Sequence, residues 1–172
     1  MRPPHACLLS VFLLVGAGPP LAGQGAGATS AICVVDRIVD GDTFYCRGGL
    51  KIRLLGMDSP ERGQGEIARQ AGRALRRVLP PARPVGLEFD VQVRDRYGRT
   101  LAYVWAGDTL VNEWMVREGW AVRYTVPPNV RYAGRIAAAE RDARGKEKGL
   151  WGESQPWCMP LTFRRGDCRD RE

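Results

Sequence analysis

The sequence predicts a mainly β chain with helices, an α+β domain built on a small closed barrel of five strands. Three observations carry this. Short β-rich runs, broken by Gly, Asp and Pro turns, recur between residues 32 and 105. Two longer runs, 66–79 and 130–148, have helical apolar spacing. The chain has 172 residues, enough for one domain with a real core. Five strands with helices between and after them suit a small closed barrel, a common platform for oligonucleotides.

Residues 1–28 read as a signal peptide and small-residue linker. Arg2 gives a basic start, and the run 7–18 is mostly apolar but short for a membrane span. Ala26-Gly27-Ala28 fits a small-x-small cleavage pattern, and a cut after Ala22 is the other choice. An uncleaved anchor is the competing reading. The expected organisation is therefore a leader over 1–28, a domain over 29–152 and a tail over 153–172. It implies an exported protein, secreted or periplasmic, with no stable membrane association after cleavage. No oligomer interface is evident, so a monomer is expected.

Residues 32–39 read as a strand, Asp40-Gly41-Asp42 as a turn and 43–47 as the next strand. Gly48-Gly49 turns the chain into a third strand, 50–55. Residues 60–65 form a loop. The helix over 66–79 places Ile67, Ala71, Leu75 and Val78 on one face, and Pro80, Pro81 and Pro84 stop it. Residues 85–93 alternate, with Val85, Leu87, Phe89, Val91 and Val93 sharing a face. Asp95 to Arg99 is a polar turn before a partner strand over 100–105, and Gly107–Thr109 reads as a plain hairpin turn. A short helix over 111–118 ends at Gly119. A longer one over 130–148 offers Ala133, Ile136, Ala137 and Ala143 for packing, ends at Gly149, and is followed by Trp151 as an anchor.

Composition narrows the chemistry. The chain carries 26 Lys+Arg against 19 Asp+Glu, a formal charge of +7. A basic exported protein suits a polyanion such as nucleic acid, although charge alone is weak support. The single histidine, His5, lies in the leader. Its position excludes Ser-His-Asp and Cys-His hydrolases and histidine-based metal sites from the mature part. Proton transfer must then use carboxylates, Tyr, Lys or water. Beyond the leader stand Cys33, Cys46, Cys158 and Cys168. An even count in an exported chain suggests two disulfides, with three possible pairings. Cys33 and Cys46 flank the 40–43 turn, and Cys158 and Cys168 bracket a short tail loop, so Cys33–Cys46 and Cys158–Cys168 are favoured. Zinc is the weaker rival, with no Cys-x-x-Cys pair.

Two segments concentrate acids with an arginine: Val39-Asp40-Gly41-Asp42-Thr43 and Arg53-Leu54-Leu55-Gly56-Met57-Asp58-Ser59-Pro60-Glu61. Asp42 and Asp58 are placed to share one hard cation, with Glu61 beside them and Arg53 facing the same place. Carboxylates plus arginine, without histidine, suit chemistry on a phosphate ester. The bland readings are turn-forming for Asp40 and Asp42, a capping role for Asp58, a solvated loop acid for Glu61 and a hairpin ion pair for Arg99. For Asp40 the turn and the acidic cluster are equally good readings.

These segments, with Asp95-Arg96-Tyr97-Gly98-Arg99, Leu101-Ala102-Tyr103, Val111-Asn112-Glu113, Val116-Arg117-Glu118-Gly119 and Lys146-Glu147-Lys148-Gly149-Leu150-Trp151, resemble the staphylococcal nuclease (thermonuclease) family. The resemblance covers about residues 32–152, with the motifs in the family's order. It implies an OB-fold barrel with about three helices and Ca²⁺-dependent cleavage of DNA and/or RNA that leaves 3′-phosphate ends. By the same resemblance Asp42, Asp58 and the Ser59 backbone carbonyl would hold the ion, with Asp40 in the wider acidic cluster. Glu61 would be the general base, and Arg53 and Arg99 the phosphate clamps. Arg96 and Tyr97 would contact substrate, and Tyr124 and Tyr132 compete for a second base-stacking position. Alanine at Arg53, Arg99 or Glu61 is expected to slow cleavage by orders of magnitude without unfolding the barrel. The alternative is a nucleic-acid-binding module that does not cut. Three departures stand out: the segment after Glu61 is shorter than in the best-known member, the cysteines are additional, and the tail beyond Trp151 falls outside the match.

Overall fold

The structure is a computed structural model, and it describes residues 30–152 and 158–168. The expected leader over 1–28 lies outside the described residues. The strands are β1 (Ser30–Ile38), β2 (Thr43–Cys46), β3 (Lys51–Leu54), β4 (Met57–Asp58), β5 (Pro84–Glu88), β6 (Thr100–Ala106), β7 (Thr109–Leu110) and β8 (Val122–Arg123). The helices are α1 (Glu66–Val78), α2 (Val111–Arg117), α3 (Ala133–Gly145) and α4 (Pro160–Arg164). No described helix is long and apolar enough to cross a membrane.

The main sheet runs β3-β2-β1-β5-β6-β7. A parallel pairing of β3 with β6, Ile52 opposite Thr100 through Leu54 opposite Ala102, joins its ends. Five strands therefore close into a barrel, an α+β architecture with no free edge along that seam. Alternation fills it: Val35, Phe44, Ile52, Leu54, Val85, Leu87 and Val104 all point inward and are buried. A bulge between Val35 and Arg37 changes the parity of β1. It turns Ile38 inward where strict alternation would bury Arg37. Cys33 and Cys46 are disulfide-bonded across β1 and β2, with Cα atoms 5.7 Å apart.

The helix α1 buries Ile67, Ala68, Ala71, Ala74 and Leu75 at helical spacing. α2 packs on α3 through Met115, Val116, Ile136 and Ala139 among the buried residues. Asn112 of α2 is fully buried. It donates to Leu55 O (2.9 Å) and Ala102 O (3.2 Å) and accepts from Val104 N–H (2.8 Å). It therefore pins the parallel seam and the turn that leads to β4. Gly119 and Gly149, both at positive φ, interlock behind α2. A Cβ on Gly119 would lie 2.0 Å from Lys148 O. Trp151 packs with Ile67, Val122 and Leu150, the anchoring role its position suggests.

Three expectations change. β5 stops at Glu88, and Val91 and Val93 are exposed (72% and 42%) rather than facing the core. The reason is a side chain: Asn129 accepts from Gln92 N–H (2.7 Å) and donates to Gln92 O (2.8 Å), which takes Gln92 out of the ladder before Val93 O accepts from Leu101 N–H (2.8 Å). The long third helix covers Ala133–Gly145 rather than 130–148, and it buries Ala139 where Ala137 was expected. The tail contains a short helix, α4, started by Pro160.

Candidate active site

Asp42 ends the turn between β1 and β2. Asp42 N–H donates to Asp40 Oδ1 (3.2 Å), so Asp40 acts as a turn former. Gly41 is required by close approach: a Cβ would lie 2.7 Å from Ser59 Cβ and 2.8 Å from Ala71 Cβ. That contact lays the turn against Asp58 and Ser59. Asp42 Oδ2 then accepts from Ser59 N–H (3.1 Å) and Ser59 Oγ (3.0 Å), and Oδ1 from Thr43 Oγ1 (2.8 Å).

Arg53, on β3 opposite Thr43, is only 9% exposed. Its Nε lies 3.2 Å from Asp42 Oδ1, and its Nη2 donates to Asp58 Oδ1 at 2.9 Å. Its Nη1 donates to Leu54 O (2.5 Å) and Met57 O (2.9 Å). One guanidinium therefore ties the acids of two separate turns together and is held in plane by two carbonyls. Asp42 and Asp58 are buried as well. The pairing of β4 with β8 fixes Asp58 opposite Val122. Removing Arg53 would leave both carboxylates buried without it, at a cost of roughly 3–5 kcal/mol. Alanine at Arg53 is therefore expected to weaken the fold.

Glu61 starts a 3₁₀ turn, Arg62–Gln64, where Gln64 Oε1 accepts from Glu61 N–H (2.8 Å). Its side chain is 39% exposed. Arg99 stands just before β6, the strand paired with β3, where Arg53 lies opposite Leu101. Its Nε donates to Asp95 Oδ2 (2.7 Å), while Asp95 Oδ1 accepts from the N–H of both Tyr97 (2.9 Å) and Arg99 (3.0 Å). Asp95 thus shapes the turn and aims the arginine, and no other side-chain hydrogen bond of Arg99 occurs among the described residues.

These groups open onto one pocket of about 520 Å³. Its lining combines the acids Asp40, Asp42, Asp58 and Glu61 with the cations Lys51, Arg53, Arg96 and Arg99. Ser59, Tyr97 and Tyr124 also line it. Tyr97 is exposed beneath the Arg96 guanidinium, 4.8 Å from ring centre to Cζ. Tyr132 is not brought there. Its hydroxyl donates to Glu88 (2.8 Å), and its ring packs edge-on against Tyr103 at 4.7 Å.

The electrostatics separate the acids. Burial raises the Asp42 carboxyl, but Arg53, the Ser59 amide and the Thr43 and Ser59 hydroxyls outweigh it and hold Asp42 below its ordinary value. Asp40 is pushed up to about 6, by burial first and by the charge of Asp42 second.

A hard cation suits the donors present. The site supplies carboxylate and backbone oxygens, and all four described cysteines are taken up in disulfides. No group of three or more His, Cys, Asp or Glu among the described residues is arranged to hold a metal. A cation would therefore rest on Asp42 and Asp58, with carbonyl and water oxygens completing its shell.

One residue was not anticipated. Arg164, from α4, reaches the same pocket and binds Asp58 and Glu61. The sequence signal for it was the pair Arg164-Arg165 inside the Cys158–Cys168 loop.

The family described as staphylococcal nuclease homologue matches residues 51–153, a span that includes Arg53, Asp58, Glu61 and Arg99 but neither Asp42 nor Arg164. A thermonuclease of Staphylococcus hyicus is 34% identical over 152 residues, covering 84% of this chain and 89% of the relative. A thermonuclease of Staphylococcus intermedius is 32% identical over 154 residues, 85% of this chain and 91% of the relative. The endonuclease YhcR of Bacillus subtilis is 31% identical over 153 residues, 76% of this chain but 12% of the relative. With the closed barrel, the motif order and this coverage in agreement, the chain belongs to the staphylococcal nuclease family.

Proposed function

We propose that this protein is an exported, Ca²⁺-dependent nuclease that hydrolyses phosphodiester bonds of DNA and/or RNA and leaves 3′-phosphate ends. Its family and its nuclease relatives make it a hydrolase. The observation that carries the reading is Arg53 joining Asp42 and Asp58 in one buried cluster that lines a single pocket with Glu61 and Arg99.

Asp42 and Asp58, with the Ser59 carbonyl, would hold the cation. Bound there, the ion would polarise the phosphoryl group and support a nucleophilic water. Glu61, on the pocket's exposed rim, is suited to orient that water and accept its proton. Arg53 on β3 and Arg99 just before its paired strand β6 line the same pocket, and guanidinium groups match the charge that builds on the phosphate oxygens. Arg96, Tyr97 and Tyr124 offer a cation and two aromatic faces to the flanking strand. The leader would direct export, and the protein would act as a monomer without stable membrane attachment.

The test is digestion of plasmid DNA and of RNA by the mature protein, in Ca²⁺ and in chelator. Cleavage confined to Ca²⁺, with product ends that require a 3′-phosphatase before extension, is expected. Full activity in chelator would reject the metal mechanism. Binding without cutting, with a steep salt dependence, would favour the non-catalytic module.

A further inference from the structure

The tail does more than follow the last helix. Cys158 and Cys168 are disulfide-bonded, with Cα atoms 5.9 Å apart, and α4 lies within the loop they close. This small unit is clipped onto the short segment after Glu61. Gln64 Nε2 donates to Cys158 O at 2.6 Å. The Phe163 ring covers Gly63 so closely that a Cβ there would lie 2.9 Å from Phe163 Cζ. Beside that ring, Arg164 enters the pocket. Its Nη2 donates to Asp58 Oδ2 (2.8 Å), its Nη1 to Asp58 Oδ1 (3.2 Å) and to Glu61 Oε1 (2.5 Å).

Asp58 therefore carries a two-pronged guanidinium fork in addition to the hydrogen bond from Arg53. A carboxylate has about four lone-pair positions, and these three donors use most of them. Glu61 is engaged by the same group. A divalent cation that takes an oxygen of Asp58 must compete with the fork and meets its positive charge.

We propose that Arg164 is a tethered competitor for the cation position: while the tail is docked, its guanidinium occupies Asp58 and Glu61, and metal binding requires it to withdraw. This inference rests on the metal reading above. Withdrawal is feasible because the Arg164 side chain is 36% exposed, so water can replace its bonds. The chain itself keeps the competitor local, at high effective concentration, and the Cys158–Cys168 disulfide closes the loop in which α4 presents Arg164. It thereby sets a threshold of cation concentration below which the acids stay neutralised and Glu61 is unavailable to water. The residue lies beyond the span matched by the family, so the device belongs to the tail of this chain.

The experiment is calorimetric titration of Ca²⁺, without nucleic acid, into the full-length oxidised protein, Arg164→Gln and a Cys158→Ser/Cys168→Ser double variant. A docked state populated nine-tenths of the time lowers apparent affinity on the order of tenfold. Arg164→Gln is accordingly expected to bind Ca²⁺ about three- to tenfold more tightly, and the variant without the disulfide, whose loop no longer presents Arg164, to shift the same way. Damage to the fold weakens binding, whereas only relief of competition tightens it. Unchanged or weaker affinity in Arg164→Gln, with wild type binding normally, would overturn the competitor and leave the metal reading standing. No Ca²⁺ heat in any of the proteins would overturn both.

Discussion

Two guanidiniums reach Asp58 from opposite ends of the chain. Arg53 comes from a barrel strand, is buried, and has every nitrogen committed to a carboxylate or carbonyl. Arg164 comes from a five-residue helix in a disulfide-closed loop of the tail, is partly exposed, and is docked by one backbone contact and one ring. The same ion pair on paper thus has two physical meanings. In the first, the arginine is part of the fold, because its loss takes from buried Asp42 its arginine and leaves Asp58 to Arg164 alone. In the second it is a replaceable guest, because water can take over its hydrogen bonds.

The largest test of this contrast is stability without metal. Arg53→Ala should lower the free energy of urea unfolding by about 3–5 kcal/mol. Arg164→Ala, at the surface, should change it by no more than about 1 kcal/mol. Equal losses would erase the distinction. Next comes Arg99, which is aimed by Asp95 but does not hold the acid pair together. Arg99→Ala should reduce the cleavage rate about 10²–10³-fold, with the unfolding midpoint nearly unmoved. A large drop in stability there would make Arg99 a structural residue like Arg53.

The smallest effect concerns an acid far from the pocket. Burial opposes the charged form of Glu88, but hydrogen bonds from Arg131, Trp105 and Tyr132 outweigh it and hold the carboxyl below its ordinary value of 4.5. A depressed carboxyl stabilises the fold above its ordinary value, and that contribution is lost as pH falls through the folded value. Urea midpoints followed from about pH 6 down to about pH 3 should therefore fall less steeply in Glu88→Gln than in wild type. Parallel curves would remove Glu88 from the acid response.

Much of this was legible in the chain. Asp-Gly and Gly-Gly turns marked the first three strands, and the spacing of Ile67, Ala71 and Leu75 marked α1. Asp42, Asp58 and Arg53 meet because turn chemistry and strand parity are local rules. The failures lie where a distant side chain decides. Val91 and Val93 alternate correctly, yet Asn129 takes the backbone of Gln92 between them and interrupts the strand. Tyr132 has the composition of a stacking residue, yet Glu88 and Tyr103 claim it. Arg164 was hidden because its role depends on a staple, a ring over Gly63 and an acid 106 residues earlier, none of which has a periodic signature.

The most direct test of the central claim is cleavage of an end-labelled oligonucleotide across a Ca²⁺ titration by wild type and by Asp42→Asn, each verified as folded. The account predicts that wild-type cleavage rises with Ca²⁺ from none in chelator, and that the asparagine variant is at least about 10²-fold slower at the same Ca²⁺. Equal rates in the two proteins, or undiminished cutting in chelator, would contradict it.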